Sequence, residues 1–294
     1  MSDHDHDHDG PEAHDLGLSH DLPTLLNRRR ALGLMSAAGL AAALAACGSS
    51  NDATATNQTQ GGPPDGGQGG PPGGTGGDSS VAVADGEIPE ETNGPYPADG
   101  TNGVNVLTES GIVRSDITSS FGESTGVAEG VPLKVRFTLV DVSGASDAGT
   151  AVAGAAIYAW HCDRAGSYSM YDGDAKNENY LRGVQETADD GTVEFTTIFP
   201  AAYSGRWPHV HFEVYPSLAD AQKATNKQRT SQLAFPEDAC NEVYATDGYE
   251  DSVRNMQQTS LDNDNVFSDG YSLQLAKITG SVDDGYVATL RVPI

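Results

Sequence analysis

The chain has 294 residues and a formal net charge of −26, from 16 Lys+Arg against 42 Asp+Glu. A phosphate backbone or an anionic lipid surface needs a basic counter-surface, so this balance excludes a nucleic-acid binder and a protein docked through a basic patch. Three cysteines are too few for a disulfide scaffold or a four-cysteine zinc site.

In chain order, an alternating His/Asp tract from His4 to Asp9 comes first and reads as an unstructured leader. Arg28-Arg29-Arg30 then precede an uncharged apolar run over 31–46, shorter than the roughly 20 residues of a membrane span. The arginines resemble a twin-arginine export signal, and Leu44-Ala45-Ala46-Cys47 resembles a bacterial lipoprotein cleavage box. The expectation is a signal segment over 1–46 and lipidation at Cys47. The mature protein is then exported and anchored by lipid outside the cytoplasmic membrane, in the periplasm or at the outer membrane. A single transmembrane anchor is the alternative. Removing 1–46 deletes seven acidic and three basic side chains and leaves a net charge of −22. It also leaves three histidines, His161, His209 and His211. Residues 47–85 are rich in Gly, Pro, Ser and Asn, cannot fill a core, and read as the lipidated Cys followed by a flexible tether. The folded domain is expected over 86–294.

Alternation dominates that domain. Leu133, Val135, Phe137 and Leu139 point one way and Lys134, Arg136 and Thr138 the other, the pattern of a half-buried strand. Residues 156–162, 192–199, 271–278 and 286–292 read as further strands, separated by Gly/Asp/Asn/Ser clusters. Residues 217–228, with Ser217 as N-cap, and 250–258 read as short helices. Many short strands with turn signals predict an all-β, antiparallel β-sandwich (immunoglobulin/prealbumin-like) with short helices and long loops.

The densest chemistry lies in Arg206-Trp207-Pro208-His209-Val210-His211-Phe212-Glu213-Val214. On a strand, positions i and i+2 share a face, so His209 and His211 project together while Val210, Phe212 and Val214 face the core. Two adjacent imidazoles are half a metal site, which zinc or copper would also accept. Tyr203 lies six residues upstream of His209, and Trp160 and Tyr168 lie further back.

This block of Trp160 and Tyr168, then Tyr203 before Arg206, then Arg206-x-x-His209-x-His211, resembles the intradiol ring-cleavage dioxygenases, the protocatechuate and catechol dioxygenase superfamily. The likeness runs from Gly94-Pro95-Tyr96 to Phe235-Pro236. It implies a mononuclear non-haem Fe(III) bound by Tyr168, Tyr203, His209 and His211, with Tyr203 and His211 axial and Tyr168 and His209 equatorial. It further implies a catechol that chelates as a dianion and displaces Tyr203, which helps take up a proton. O2 attacks the ring, and cleavage between the two hydroxylated carbons gives a muconate-type diacid. Arg206 is then the cation that stabilises charge on the ring, Gln232 a supporting residue, and Tyr96 a residue at the pocket mouth. The expected partners are a small aromatic diol and O2, with membrane contact only through the lipid. The net negative charge favours a neutral catechol or hydroxyquinol over an anionic ring acid.

His161 reads as a structural residue, and Asp172, Asp174 and Glu178 as a solvated loop. Cys162 and Cys240 remain as an even pair whose bonding the sequence leaves open. Two competing readings are a non-catalytic lipid-anchored sandwich that binds a ligand or partner, and a copper or zinc lipoprotein using the His pair alone.

Overall fold

The computed structural model describes residues 86–144 and 148–294. The export segment, Cys47 and the tether therefore lie outside the described residues. Among the described residues, nine strands form two sheets. They are β1 (Pro132–Asp141), β2 (Thr150–Ala151), β3 (Ala156–Trp160), β4 (Arg182–Glu186), β5 (Thr192–Ile198), β6 (His209–Tyr215), β7 (Arg229–Ala234), β8 (Lys277–Ser281) and β9 (Gly285–Pro293). One sheet runs β2-β1-β9-β8 with β5 also paired to β1, and the other runs β4-β3-β6-β7. The expected all-β two-sheet fold is present, and every strand pair is antiparallel except β1 with β9, which run parallel.

The core explains the alternation. Leu133, Val135, Phe137 and Leu139 of β1 are buried while Lys134 and Arg136 are exposed. The buried set joins Val210, Phe212 and Val214 of β6 and Ala288, Leu290 and Val292 of β9 in one apolar cluster. The rings of Phe137 and Phe212 are 4.8 Å apart. The second sheet is buried on both faces, since all seven residues of β6 and all five of β3 are enclosed. Its outer face carries Ala156, Tyr158 and Trp160, which pack with Ala98, Val106, Leu107 and Ile112 from the segment before β1.

Three local expectations change. The helix read over 217–228 is only Leu218–Ala221, here called α1; Ser217 does cap it, its hydroxyl accepting from Asp220 N. The chain leaves the helix early because Ala224 and Asn226 take φ of 51° and 56°, a region that ends a right-handed helix. The strand read over 271–278 begins only at Lys277. Before it a turn forms, with Gln274 N and Leu275 N both donating to Tyr271 O. The acidic loop is not wholly solvated, because Glu178 Oε2 accepts from Gly126 N at 2.7 Å.

Helix α3 (Glu250–Met256) matches its sequence signal. Helix α2 (Glu237–Tyr244) was not expected, although Pro236 before it and Glu237 and Asp238 in its first turn are ordinary start signals. Cys162 and Cys240 are free, buried thiols. His161 is structural as read: Nδ1 lies 2.8 Å from Cys162 O and Nε2 lies 2.7 Å from Thr197 Oγ1. Among the described residues, no helix is long and apolar enough to cross a membrane.

Candidate metal centre

Strand pairing builds the floor of the site. His211 lies between Trp160 on β3 and Gln232 on β7, and His209 lies opposite Ala234. Directly paired residues share a face, so His209, His211, Trp160 and Gln232 all line the outer face of the second sheet. The Trp160 indole stacks on the His211 ring at 4.9 Å with only 4° between planes.

Two loops bring the tyrosines over that floor. After β3, Asp163 Oδ1 accepts from Ala165 N and Ser167 N, both at 2.9 Å, and this turn delivers Tyr168. The buried Arg182 guanidinium then donates to Ser169 O at 2.9 Å and Ser169 Oγ at 3.0 Å, fixing the residue beside Tyr168. After β5, a turn closed by Arg206 N donating to Tyr203 O brings Tyr203 in from the other side. The segment before β1 adds the third wall. Gly94 takes φ +70°, and a Cβ there would lie 3.3 Å from His211 Cε1, so glycine is favoured where the chain passes this close.

Four donor atoms meet. Around His209 Nε2 sit Tyr168 Oη at 3.4 Å, Tyr203 Oη at 3.3 Å and His211 Nε2 at 3.1 Å. His209 Nδ1 lies 2.5 Å from Trp207 O, which places its proton there and leaves Nε2 as a lone pair. One lone pair accepts one good hydrogen bond, so three neighbours at this spacing do not make a satisfied network. Metal–nitrogen bonds of about 2.1 Å hold adjacent ligand atoms roughly 3.0–3.4 Å apart, which is the spacing here. His211 Nδ1 is buried without a partner, and Tyr168, His209 and His211 are only 1, 2 and 3% exposed.

Burial dictates the charge state of the bare site. It pushes Tyr168 well above the usual phenol range and Tyr203 up to about 12, the latter against the pull of the Arg206 charge. It holds His209 and His211 well below the ordinary imidazole value, the neighbouring Arg206 charge adding to this. Neutral imidazoles and protonated phenols are groups that could ligate a cation, since a bound metal is what would hold a phenolate ionised at neutral pH. Among the described residues no group of three or more His, Cys, Asp or Glu could hold a metal. The nearest oxygen donors to the His pair are the two phenols. The residues fit Fe(III), a hard ion suited to phenolate oxygen.

Arg206 and Gln232 lie beside this cluster. Arg206 Nη2 donates to Gln232 Oε1 at 2.6 Å, and Gln232 Nε2 donates to Thr92 O at 3.0 Å. Arg206 Nε donates to Asp264 Oδ2 at 2.8 Å. Tyr96 is half-buried, with its ring 4.9 Å from that of Tyr168. All seven residues named from the sequence for the centre and its surroundings thus come together. Asp264 was missed. It lies 58 residues after Arg206 in a polar loop, Leu261-Asp262-Asn263-Asp264-Asn265, where nothing distinguishes it from its neighbours.

Comparison with known proteins places these features in context. The family described as Dioxygenase matches residues 115–266. An intradiol ring-cleavage dioxygenase from Tetranychus urticae superposes with a TM-score of 0.52 at 25% identity, covering 63% of this chain and 88% of that one. A second dioxygenase structure superposes at 0.50 with 24% identity, over 63% of this chain and 87% of the other. Chlorocatechol 1,2-dioxygenase from Rhodococcus opacus is 38% identical over 55 residues, 19% of this chain. The chain matches about a fifth (21%) of that relative's length.

Proposed function

Because this chain belongs to the intradiol ring-cleavage dioxygenases, we propose that it opens a catechol-type ring between its two hydroxylated carbons with O2, at one Fe(III) held by Tyr168, Tyr203, His209 and His211. The product is a muconate-type diacid containing both oxygen atoms of O2. The observation that carries this reading is the convergence on His209 Nε2 of two phenol oxygens and the His211 Nε2 nitrogen, at 3.1–3.4 Å. When bound, ferric iron would stabilise the two phenolates and activate the diol toward O2.

The chain's own groups divide the remaining work. Trp207 O holds the Nδ1 proton of His209, so the Nε2 lone pair faces the centre. As a residue Tyr203 is half-buried where Tyr168 is enclosed, and as a metal-held phenolate it would be the group to take a hydroxyl proton from an entering diol. The Arg206 guanidinium acts electrostatically on both phenol oxygens and meets negative charge that develops on the ring. Tyr96, beside Tyr168, supplies an aromatic wall at the entrance. A neutral catechol or hydroxyquinol suits the acidic chain better than a ring carboxylate. Export through the Arg28-Arg29-Arg30 segment and lipid anchoring at Cys47 belong to the same proposal.

The test is oxygen uptake by iron-loaded protein with a panel of catechols, followed by product analysis. A visible tyrosinate-to-iron band that shifts on adding catechol, and one O2 consumed per diacid formed, are expected. Iron-loaded protein with no such band and no uptake across the panel would refute the reading.

A further inference from the structure

Asp264 makes contacts that neither the ligand set nor the entrance explains. Its side chain is 0% exposed. Oδ1 accepts from Val266 N at 2.8 Å and Phe267 N at 3.3 Å. Oδ2 accepts from Trp207 N at 2.7 Å and Arg206 Nε at 2.8 Å. The loop itself is closed by main-chain bonds, Asp264 N donating to Ser260 O and Ser268 N donating to Asp264 O.

The direction of the dependence follows from this count. Three of the four donors on the carboxylate are backbone N–H groups, so Asp264 keeps its place without help from Arg206. Arg206 is a long side chain with little rotational preference of its own, and it needs an anchor. It finds two: Asp264 at Nε and Gln232 at Nη2. A guanidinium is planar, so bonds at these two nitrogens fix both its position and its plane. The same Oδ2 also holds the N–H of Trp207, the residue whose carbonyl faces His209 Nδ1. A buried ion pair is a poor source of stability, because desolvation offsets the attraction. Its value here is geometric.

We infer that Asp264 is the positioning residue for Arg206, holding the guanidinium in the plane from which it meets the reacting ring, so that its effect on turnover runs through Arg206. This rests on the reading of Arg206 as the cation that meets the ring.

Asp264→Asn separates this role from a loop cap. The amide oxygen can still accept from Val266 N and Phe267 N, while the NH2 group faces the donors of Arg206 and Trp207 and releases the guanidinium. The experiment uses the full chain, with wild type, Asp264→Asn, Arg206→Leu and the double variant. The first readout needs no turnover: hydrogen exchange at the Arg206 Nε–H by NMR, assigned by its loss in Arg206→Leu. In wild type it should be protected at least about tenfold over the exposed Arg254, with protection lost in Asp264→Asn. A wild-type Nε–H as fast as that of Arg254 overturns the inference, even where the variant does not fold. The second readout is kinetic. Asp264→Asn should lower kcat about a hundredfold with KM little changed, and iron content and visible band should match wild type. The double variant should be no worse than Arg206→Leu alone. A further tenfold loss in the double variant, or altered iron content in Asp264→Asn, overturns the positioning role. Loss of turnover in Arg206→Leu with none in Asp264→Asn sinks that role alone. Arg206→Leu within about threefold of wild type instead sinks the reading of Arg206 on which it rests.

Discussion

Tyr168 and Tyr203 differ in their surroundings, the difference on which the proposed division of their roles rests. Tyr168 is enclosed beneath Tyr96 and edge-on to Tyr203, with ring centroids at 4.9 and 5.9 Å. Tyr203 keeps a partly open side beside the exposed Ser204 and Gly205. Substituting either tyrosine by Phe removes one oxygen donor and should change the visible band of the iron-loaded protein, while His209→Ala or His211→Ala should lower bound iron. Four variants with full iron and unchanged spectra would eliminate the proposed centre. Arg206 acts differently, because a guanidinium stays protonated and binds no cation. Arg206→Leu should keep iron and colour, still bind catechol, and lose on the order of 3 kcal/mol of transition-state stabilisation, a hundredfold or more in rate. Steady-state kinetics with wild type alongside checks this; turnover within about threefold would make it an ordinary ion pair.

Strand β6 holds two kinds of chemistry on its two faces. His209 and His211 face the loops, while Val210, Phe212 and Val214 face the inter-sheet core. Phe212 is fully buried, so Phe212→Ala should cost about 3–5 kcal/mol through lost burial and the cavity left behind. The denaturant midpoint should fall at unchanged slope. The fraction still folded should keep its iron and its band, because the deletion lies on the far face from the ligands. Loss of the band at full folding would mean that the two faces are not independent. Alternation made the inward face legible in the sequence. It could not show that the outward face is also covered, because the covering residues come from the segment before β1 and the loop after β3. The short α1 and the late start of β8 were misread for a related reason. Local pattern set their character, while turns at Ala224, Asn226 and Tyr271 set their limits.

At the scale of the molecule, the proposed export and lipid anchoring rest on the N-terminal sequence alone. Cys47→Ser should release the protein from membranes into the soluble fraction, read by fractionation and blotting. Unchanged retention would favour a transmembrane anchor instead. The sequence by itself determined the two-sheet class, because period-two burial needs a second apolar face to meet. It also made the candidate donors nameable, because the resemblance of the Trp160–Tyr168, Tyr203–Arg206 and His209-x-His211 blocks to the family singles out those positions. Only the tertiary structure decided that β9 runs parallel beside β1, that both cysteines stay free, and that Asp264 reaches Arg206. Each of these depends on where distant segments meet in space. Contacts made across 58 residues of chain, as between Arg206 and Asp264, leave no periodic trace along it.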